Sequence, residues 1–220
     1  MIFFAFLASL AFLAEGDCVP LTLVVDPAHG GEDRGAVGPS GVEETVLTWQ
    51  WAVRLRDRLA RDSDFVVTLT RDQDTAVTRD QRVAAANQAK AHLWLSLHMN
   101  CSPTVSVTGM IVRVYKPSMP VKRQGGGHLI PWKSAQTAFV SKSRLAASEC
   151  LESLKRVGTV SLWEGPWVDL RSVALPAVSV EVGYLSAEPD LEKLKDGAWQ
   201  DRVIEELVSA LKSYHRRMGW

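Results

Sequence analysis

Three apolar stretches of this chain run straight into residues that ionise or bind metals. Leu21 to Val25 leads into Asp26-Pro27-Ala28-His29-Gly30-Gly31, Leu93 to Leu97 into His98-Met99-Asn100, and Ala177 to Val180 into Glu181-Val182-Gly183. Pro27 and the Gly30-Gly31 pair forbid any continuation of strand or helix. His29 is therefore expected on a tight loop at the carboxyl edge of a buried strand, where open α/β sheets place their ligands. Two imidazoles and a carboxylate delivered by separate elements are the donor set of a catalytic zinc site with one position open to water. A second carboxylate beside them could act as general base and acid. The competing reading is that His29 and His98 are independent turn residues.

The elements that must position these groups can be read from periodicity. A helix is expected from Val42 to Arg61, with Leu47, Trp51, Leu55 and Leu59 four apart on its core face. Glu44 lies three residues before Leu47 and shares that inward stripe, whereas Glu43 falls in the row of Val46, Gln50 and Asp57. Glu44 and Glu181 thus supply two carboxylates, although an acid in a first helical turn is also explained by the helix dipole alone. Phe65 to Leu69 reads as a strand and Thr78 to Lys90 as a helix capped by Thr78. Val107 to Tyr115 reads as a further strand, Lys133 to Arg156 as a helix, and Arg202 to Arg216 as the closing helix. Strand and helix alternate, which predicts an α/β fold: a single domain built on a mostly parallel twisted sheet of about six strands, with helices on both faces.

Bulk properties narrow the partners. The 220 residues suit one domain with a substantial core. Lys plus Arg equals Asp plus Glu at 25 each, so no bulk electrostatic argument favours nucleic acid. Met1 to Ala14 is an unbroken apolar run, too short to span a bilayer at roughly 20 residues, with small residues at Ala14 and Gly16. Residues 1–16 read as a secretory signal peptide, leaving 17–220 as the working domain, exported to the periplasm or cell envelope with no stable membrane insertion. The absence of Lys or Arg ahead of the apolar core keeps an uncleaved anchor or a misplaced start codon as the alternative. Cys18, Cys101 and Cys150 are too few and too scattered for a disulfide framework or a cysteine zinc site, though one bridge is possible. His92, His128 and His215 are expected to be solvated and away from the rim.

The residues carry a resemblance. The segments Val24 to Gly31, Gly35 to Gly38, Gly41 to Glu44, Leu69 to Asp72, Arg82 with Ala86-Asn87, Leu95 to Asn100 and Pro176 to Ser186 fall in order across the predicted mature chain. In these it resembles the zinc-dependent N-acetylmuramoyl-L-alanine amidases, which detach the stem peptide from the glycan of bacterial cell wall. The resemblance implies one catalytic Zn2+ held by His29, Glu44 and His98, with Glu181 as the catalytic carboxylate and peptidoglycan as the substrate. It implies direct attack by water on the lactyl carbonyl, Glu181 taking the water proton and returning it to the departing amine. Departures from the family pattern are Ala28 for the usual glycine, His92 where an acid is common, and Ala187 where Asn often stands. Ala28 raises the question of the local backbone, since glycine takes a positive φ that alanine resists. A zinc peptidase or deacylase acting on another amide, or a wall-binding relative without catalysis, are the competing functional readings. Lys116 to Trp132, with three prolines and Gly125-Gly126-Gly127, is expected to border a substrate groove or to be a plain surface loop.

Overall fold

The computed structural model describes residues 19–39, 41–119 and 131–220. Its elements are β1 (Leu21–Pro27), α1 (Glu44–Leu59), β2 (Phe65–Leu69), α2 (Arg79–Gln88), β3 (Leu93–Asn100), β4 (Met110–Tyr115), α3 (Val140–Leu154), β5 (Val160–Gly165), β6 (Ala177–Tyr184), α4 (Glu188–Lys195) and α5 (Gly197–Met218). The six strands form one sheet in the order β2-β1-β3-β6-β4-β5. Every pairing is parallel except β4 with β6. The reversal of β4 follows from its connection: residues 101–109 between β3 and β4 hold no helix and are too short for the crossover of a dozen or more residues that a parallel return needs.

Side chains alternate across the sheet, and the two faces differ in kind. Leu21, Leu23 and Val25 of β1, Leu93, Leu95 and Leu97 of β3, and Val178 and Val180 of β6 form the larger core with Leu47, Trp51 and Leu55 of α1, Ala146 and Cys150 of α3, and Val203 and Leu207 of α5. Each large apolar side chain so buried contributes about 1.5–3 kcal/mol. The other face gathers most of its apolar side chains toward the amino ends of the strands, where Val24, Trp94 and Ala177 meet Val83 and Ala86 of α2 and Leu170 and Val173 of the segment before β6; Ile111 joins a smaller cluster with Tyr184 and Ala187. Toward the carboxyl ends this face turns polar. Strand register aligns Asp26, Ser96, Ser179, Arg113 and Trp163 in one row across five strands, with His98 beside Glu181 in the next.

α2 begins with a complete capping box: the Thr78 hydroxyl accepts from the Gln81 N–H at 3.3 Å, and the Thr78 N–H donates to Gln81 Oε1 at 2.8 Å. Thr78→Ala is expected to cost about 1 kcal/mol of stability, the usual worth of such a cap. A urea midpoint unchanged from the parent protein would show that the box contributes nothing.

The structure corrects several element readings. β3 and β6 do not end at Leu97 and Val180 but continue to Asn100 and Tyr184, so His98 and Glu181 lie within strands. β4 starts at Met110 instead of Val107, after Gly109 at φ 104°. The helix expected from Lys133 starts at Val140, because Trp132–Ala138 forms a 3₁₀ turn that ends at non-helical Phe139. β5 and α4 were not legible: β5, Val-Ser-Leu-Trp-Glu-Gly, is a mostly exposed edge strand whose apolar residues follow no buried face. His215 is buried, its Nε2 donating to the Val19 carbonyl at 2.7 Å, where a solvated residue was expected. His92 is half-buried at the amino edge of the sheet, stacked on Trp220 and accepting from the Thr22 N–H. Cys101 and Cys150 are free, and burial followed by the charge of Glu149 pushes the Cys150 thiol up to about 12. His128 and residues 120–130 of the loop before Trp132 lie outside the described residues.

Candidate metal centre

The loop after β1 makes a sharp reversal that only particular residues permit. His29 itself takes a left-handed backbone, φ 62°, followed by Gly30 at 139° and Gly31 at 60°; Ala28 does not, so the alanine at that position carries no strain of this kind. A Cβ on Gly30 would lie 2.3 Å from the Thr75 carbonyl oxygen. One on Gly35 would lie 2.6 Å from the His29 ring and 2.7 Å from Glu44 Oε2, so glycine is what lets the chain pass beside these side chains. A histidine in the left-handed region costs of order 1–3 kcal/mol and needs surrounding structure to hold it.

Two buried arginines supply that hold. Arg71 donates to the carbonyls of Pro27 at 3.0 Å and Ala28 at 3.1 Å, and to that of Thr45 at 2.9 Å. Arg82 donates to the Pro27 carbonyl at 2.8 Å and also to the His29 carbonyl. The charge of Arg82 is balanced by Asp26 at 2.8 Å, whose other oxygen accepts from the Ser96 hydroxyl at 2.9 Å. Arg71 faces neutral carbonyls; burial, then repulsion from Arg82, lowers its pKa. Sequence reasoning met both arginines in the resemblance, and Arg71 also in the turn after Leu69, and assigned neither a role at the site. The signal lay in their type: an arginine on the buried side of a turn or helix must find several acceptors.

Glu44, at the first position of α1, is buried and grips the centre of the site. Its Oε1 accepts from the Met99 N–H and from His98 Nδ1, each at 3.0 Å. Its Oε2 accepts from the Ala36 N–H at 2.9 Å and lies 3.0 Å from His29 Nε2. Glu43 points outward and pairs with Arg34. His29 Nδ1 is 3.0 Å from both oxygens of Asp33, a partner four residues away that sequence reasoning missed. That contact orients the ring and leaves Nε2 facing Glu44. The two imidazoles stand edge to face, centroids 5.5 Å apart. One ligand atom from each of His29, Glu44 and His98 lies within 4.8 Å of the others, so the three could hold a metal ion.

The electrostatics fit a cation. Burial alone would raise the Glu44 carboxyl, but hydrogen bonds from both imidazoles outweigh it and hold the group far below the usual carboxylate range. Burial would lower His29, yet Glu44 and Asp33 lift it above its ordinary value. A site that draws a proton onto an imidazole in this way has a buried negative charge to neutralise, and a divalent ion bound by neutral imidazoles and carboxylate meets the same need.

Glu181 sits on β6 directly beside His98, its register partner on β3, with neighbouring strands about 4.8 Å apart. It is 6% exposed, and burial raises its pKa against the opposing pull of Arg113. Arg113, unremarked in the sequence, places its Nε 2.9 Å from Glu181 Oε1. A cavity of about 320 Å³ opens alongside, lined by His29, His98, Val77, Arg79, Trp94 and Asp169. All four predicted site residues therefore converge on one rim.

These features describe an α/β domain with a candidate metal centre on the carboxyl edge of its sheet. The chain belongs to the N-acetylmuramoyl-L-alanine amidase family, whose model matches residues 23–213. It is 26% identical over 220 residues to N-acetylmuramoyl-L-alanine amidase AmiC of Escherichia coli O6:H1, covering 89% of this chain and 53% of that protein. It is 25% identical over 211 residues to the germination-specific N-acetylmuramoyl-L-alanine amidase of Bacillus subtilis, covering 90% and 81%. The chain thus spans about half the length of the first of these relatives and most of the second. Among solved structures, the catalytic domain of CwlV, an N-acetylmuramoyl-L-alanine amidase from Bacillus (Paenibacillus) polymyxa var. colistinus, superposes with a TM-score of 0.74 at 25% identity, covering 88% of this chain and 97% of that one. Ami1 of Mycobacterium smegmatis, at 18% identity, TM-score 0.73 and coverage of 91% and 99%, shares the fold.

Proposed function

We propose that this protein is a zinc-dependent N-acetylmuramoyl-L-alanine amidase that hydrolyses the amide between the lactyl group of N-acetylmuramic acid and L-alanine of the peptidoglycan stem. The observation that carries this reading is a buried carboxylate, Glu44, held between two imidazoles with a second buried carboxylate, Glu181, on the neighbouring strand. His29, Glu44 and His98 would hold the ion. Zinc, when bound, supplies activation of water and polarisation of the scissile carbonyl. Glu181 accepts the proton of the attacking water and delivers it to the nitrogen of the departing L-alanine, so that the C–N bond breaks to a carboxylate and a free amine. Asp33 keeps the His29 ring in place, and Arg71 and Arg82 keep its loop from relaxing.

Export to the cell envelope, with residues 1–16 as a leader and 17–220 as the catalytic unit, belongs to the same reading, since the substrate lies outside the cytoplasm. No helix among the described residues is long and apolar enough to cross a membrane. The test is purified protein on isolated peptidoglycan. Free stem peptides with an N-terminal alanine are expected, with the glycan strands left uncut. New reducing ends without free alanine amines would mean that a different bond is cleaved and would overturn the assignment.

A further inference from the structure

Arg113 sits in the middle of an apolar strand, Met-Ile-Val-Arg-Val-Tyr, and its surroundings are unusually well defined. The antiparallel pairing of β4 with β6 sets Ile111 opposite Glu181 and Arg113 opposite Ser179. Arg113 is therefore the diagonal neighbour of Glu181 on the same sheet face, a separation that long side chains bridge. Its Nε lies 2.9 Å from Glu181 Oε1, but the N–H does not point along that line, so the contact is an ion pair and not an aligned hydrogen bond. Nη2 donates to Asp169 Oδ2 and to the Ser179 hydroxyl, each at 3.1 Å. The guanidinium carbon lies 5.1 Å from the centre of the Trp167 ring. Asp169, Ser179 and Trp167 together fix the plane of the guanidinium, which makes it a stationary charge beside Glu181.

We propose that Arg113 is a positioning residue for Glu181: it pins Oε1 and leaves Oε2 to meet the water. This rests on the reading of Glu181 as the base. On the β4 side the direct neighbour of Glu181 is Ile111, which offers no donor, so without Arg113 nothing on that strand restrains the carboxylate. Asp169 lines the cavity beside His29 and His98, so the chain Asp169–Arg113–Glu181 ties the base to the wall of the site. A residue acting through Glu181 should alter turnover and not substrate affinity.

The experiment measures kcat and KM on a soluble muropeptide, with zinc content and urea midpoint, for Arg113→Met and Arg113→Lys in the parent and in Glu181→Gln. Arg113→Met is expected to lower kcat by about 10²-fold, the cost of a misplaced catalytic group, with KM within about twofold and zinc retained. Arg113→Lys keeps the charge without the planar fork and should recover part of that loss. In the Glu181→Gln background neither substitution should lower kcat further, because the group they position is already disabled. A full additional loss in that background would overturn the proposal, as would a rise in KM at constant kcat. Unchanged kcat for both Arg113 variants beside a disabled Glu181→Gln would reject the positioning role and keep the base; full turnover of Glu181→Gln would reject both. If Arg113→Met does not fold, the Arg113→Lys pair decides: a severalfold loss confined to the parent background supports the role, and equal losses in both reject it.

Discussion

Glu181→Gln is expected to reduce turnover by roughly 10²- to 10⁴-fold while zinc stays bound, the range general acid–base catalysis contributes. Glutamine keeps the shape of the side chain in a position that is buried and packed on β6 beside His98, so the sheet has no reason to rearrange. What it loses is the ability to take a proton from water. Arg113 keeps Asp169 and Ser179 as partners, so the substitution does not leave its charge without a counter-ion. The measurement is zinc per protein beside the rate of stem-peptide release. A variant that turns over normally would exclude Glu181 as the base, and one that sheds its zinc would make Glu181 a ligand.

Glu44→Ala should have the opposite signature. It removes the carboxylate that engages both imidazoles and leaves the Met99 and Ala36 N–H groups without their acceptor, an uncompensated cost of about 1–3 kcal/mol for each that stays buried. Outer partners of metal ligands are worth 10- to 100-fold in affinity, so loss of a ligand should exceed about 100-fold. Activity and zinc content are expected to fall together. In the parent protein a chelator should abolish turnover and stoichiometric zinc should restore it, whereas Glu44→Ala should stay inactive at the same zinc concentration. Full activity of the parent in an equilibrated chelator would end the metal assignment, and a Glu44→Ala variant with normal zinc content would remove Glu44 from the ligand set.

Much of this was written in local pattern. Strand and helix alternation determined the fold class, because side-chain period is set within a few residues by burial of one face. The turn at His29 was legible from Pro27 and the glycines, and the inward row of α1 separated Glu44 from Glu43 before any geometry was known. The family resemblance pointed to four residues, His29, Glu44, His98 and Glu181, that the structure brings close together. What the tertiary structure decided are relations between residues far apart in the chain. Strand register set His98 beside Glu181, and the reversal of β4 brought Arg113 to the diagonal of Glu181. Arg71 and Arg82, more than forty residues beyond the His29 loop, became its support only because α1, α2 and the end of β1 enclose them. The exposed edge strand β5 escaped notice for the complementary reason: its stability comes from pairing with β4, which leaves no periodic mark on its own residues. Burial leaves a repeating signature in a sequence; an ion pair or a ladder of hydrogen bonds between distant segments leaves none, because neither partner alone says where the other will be.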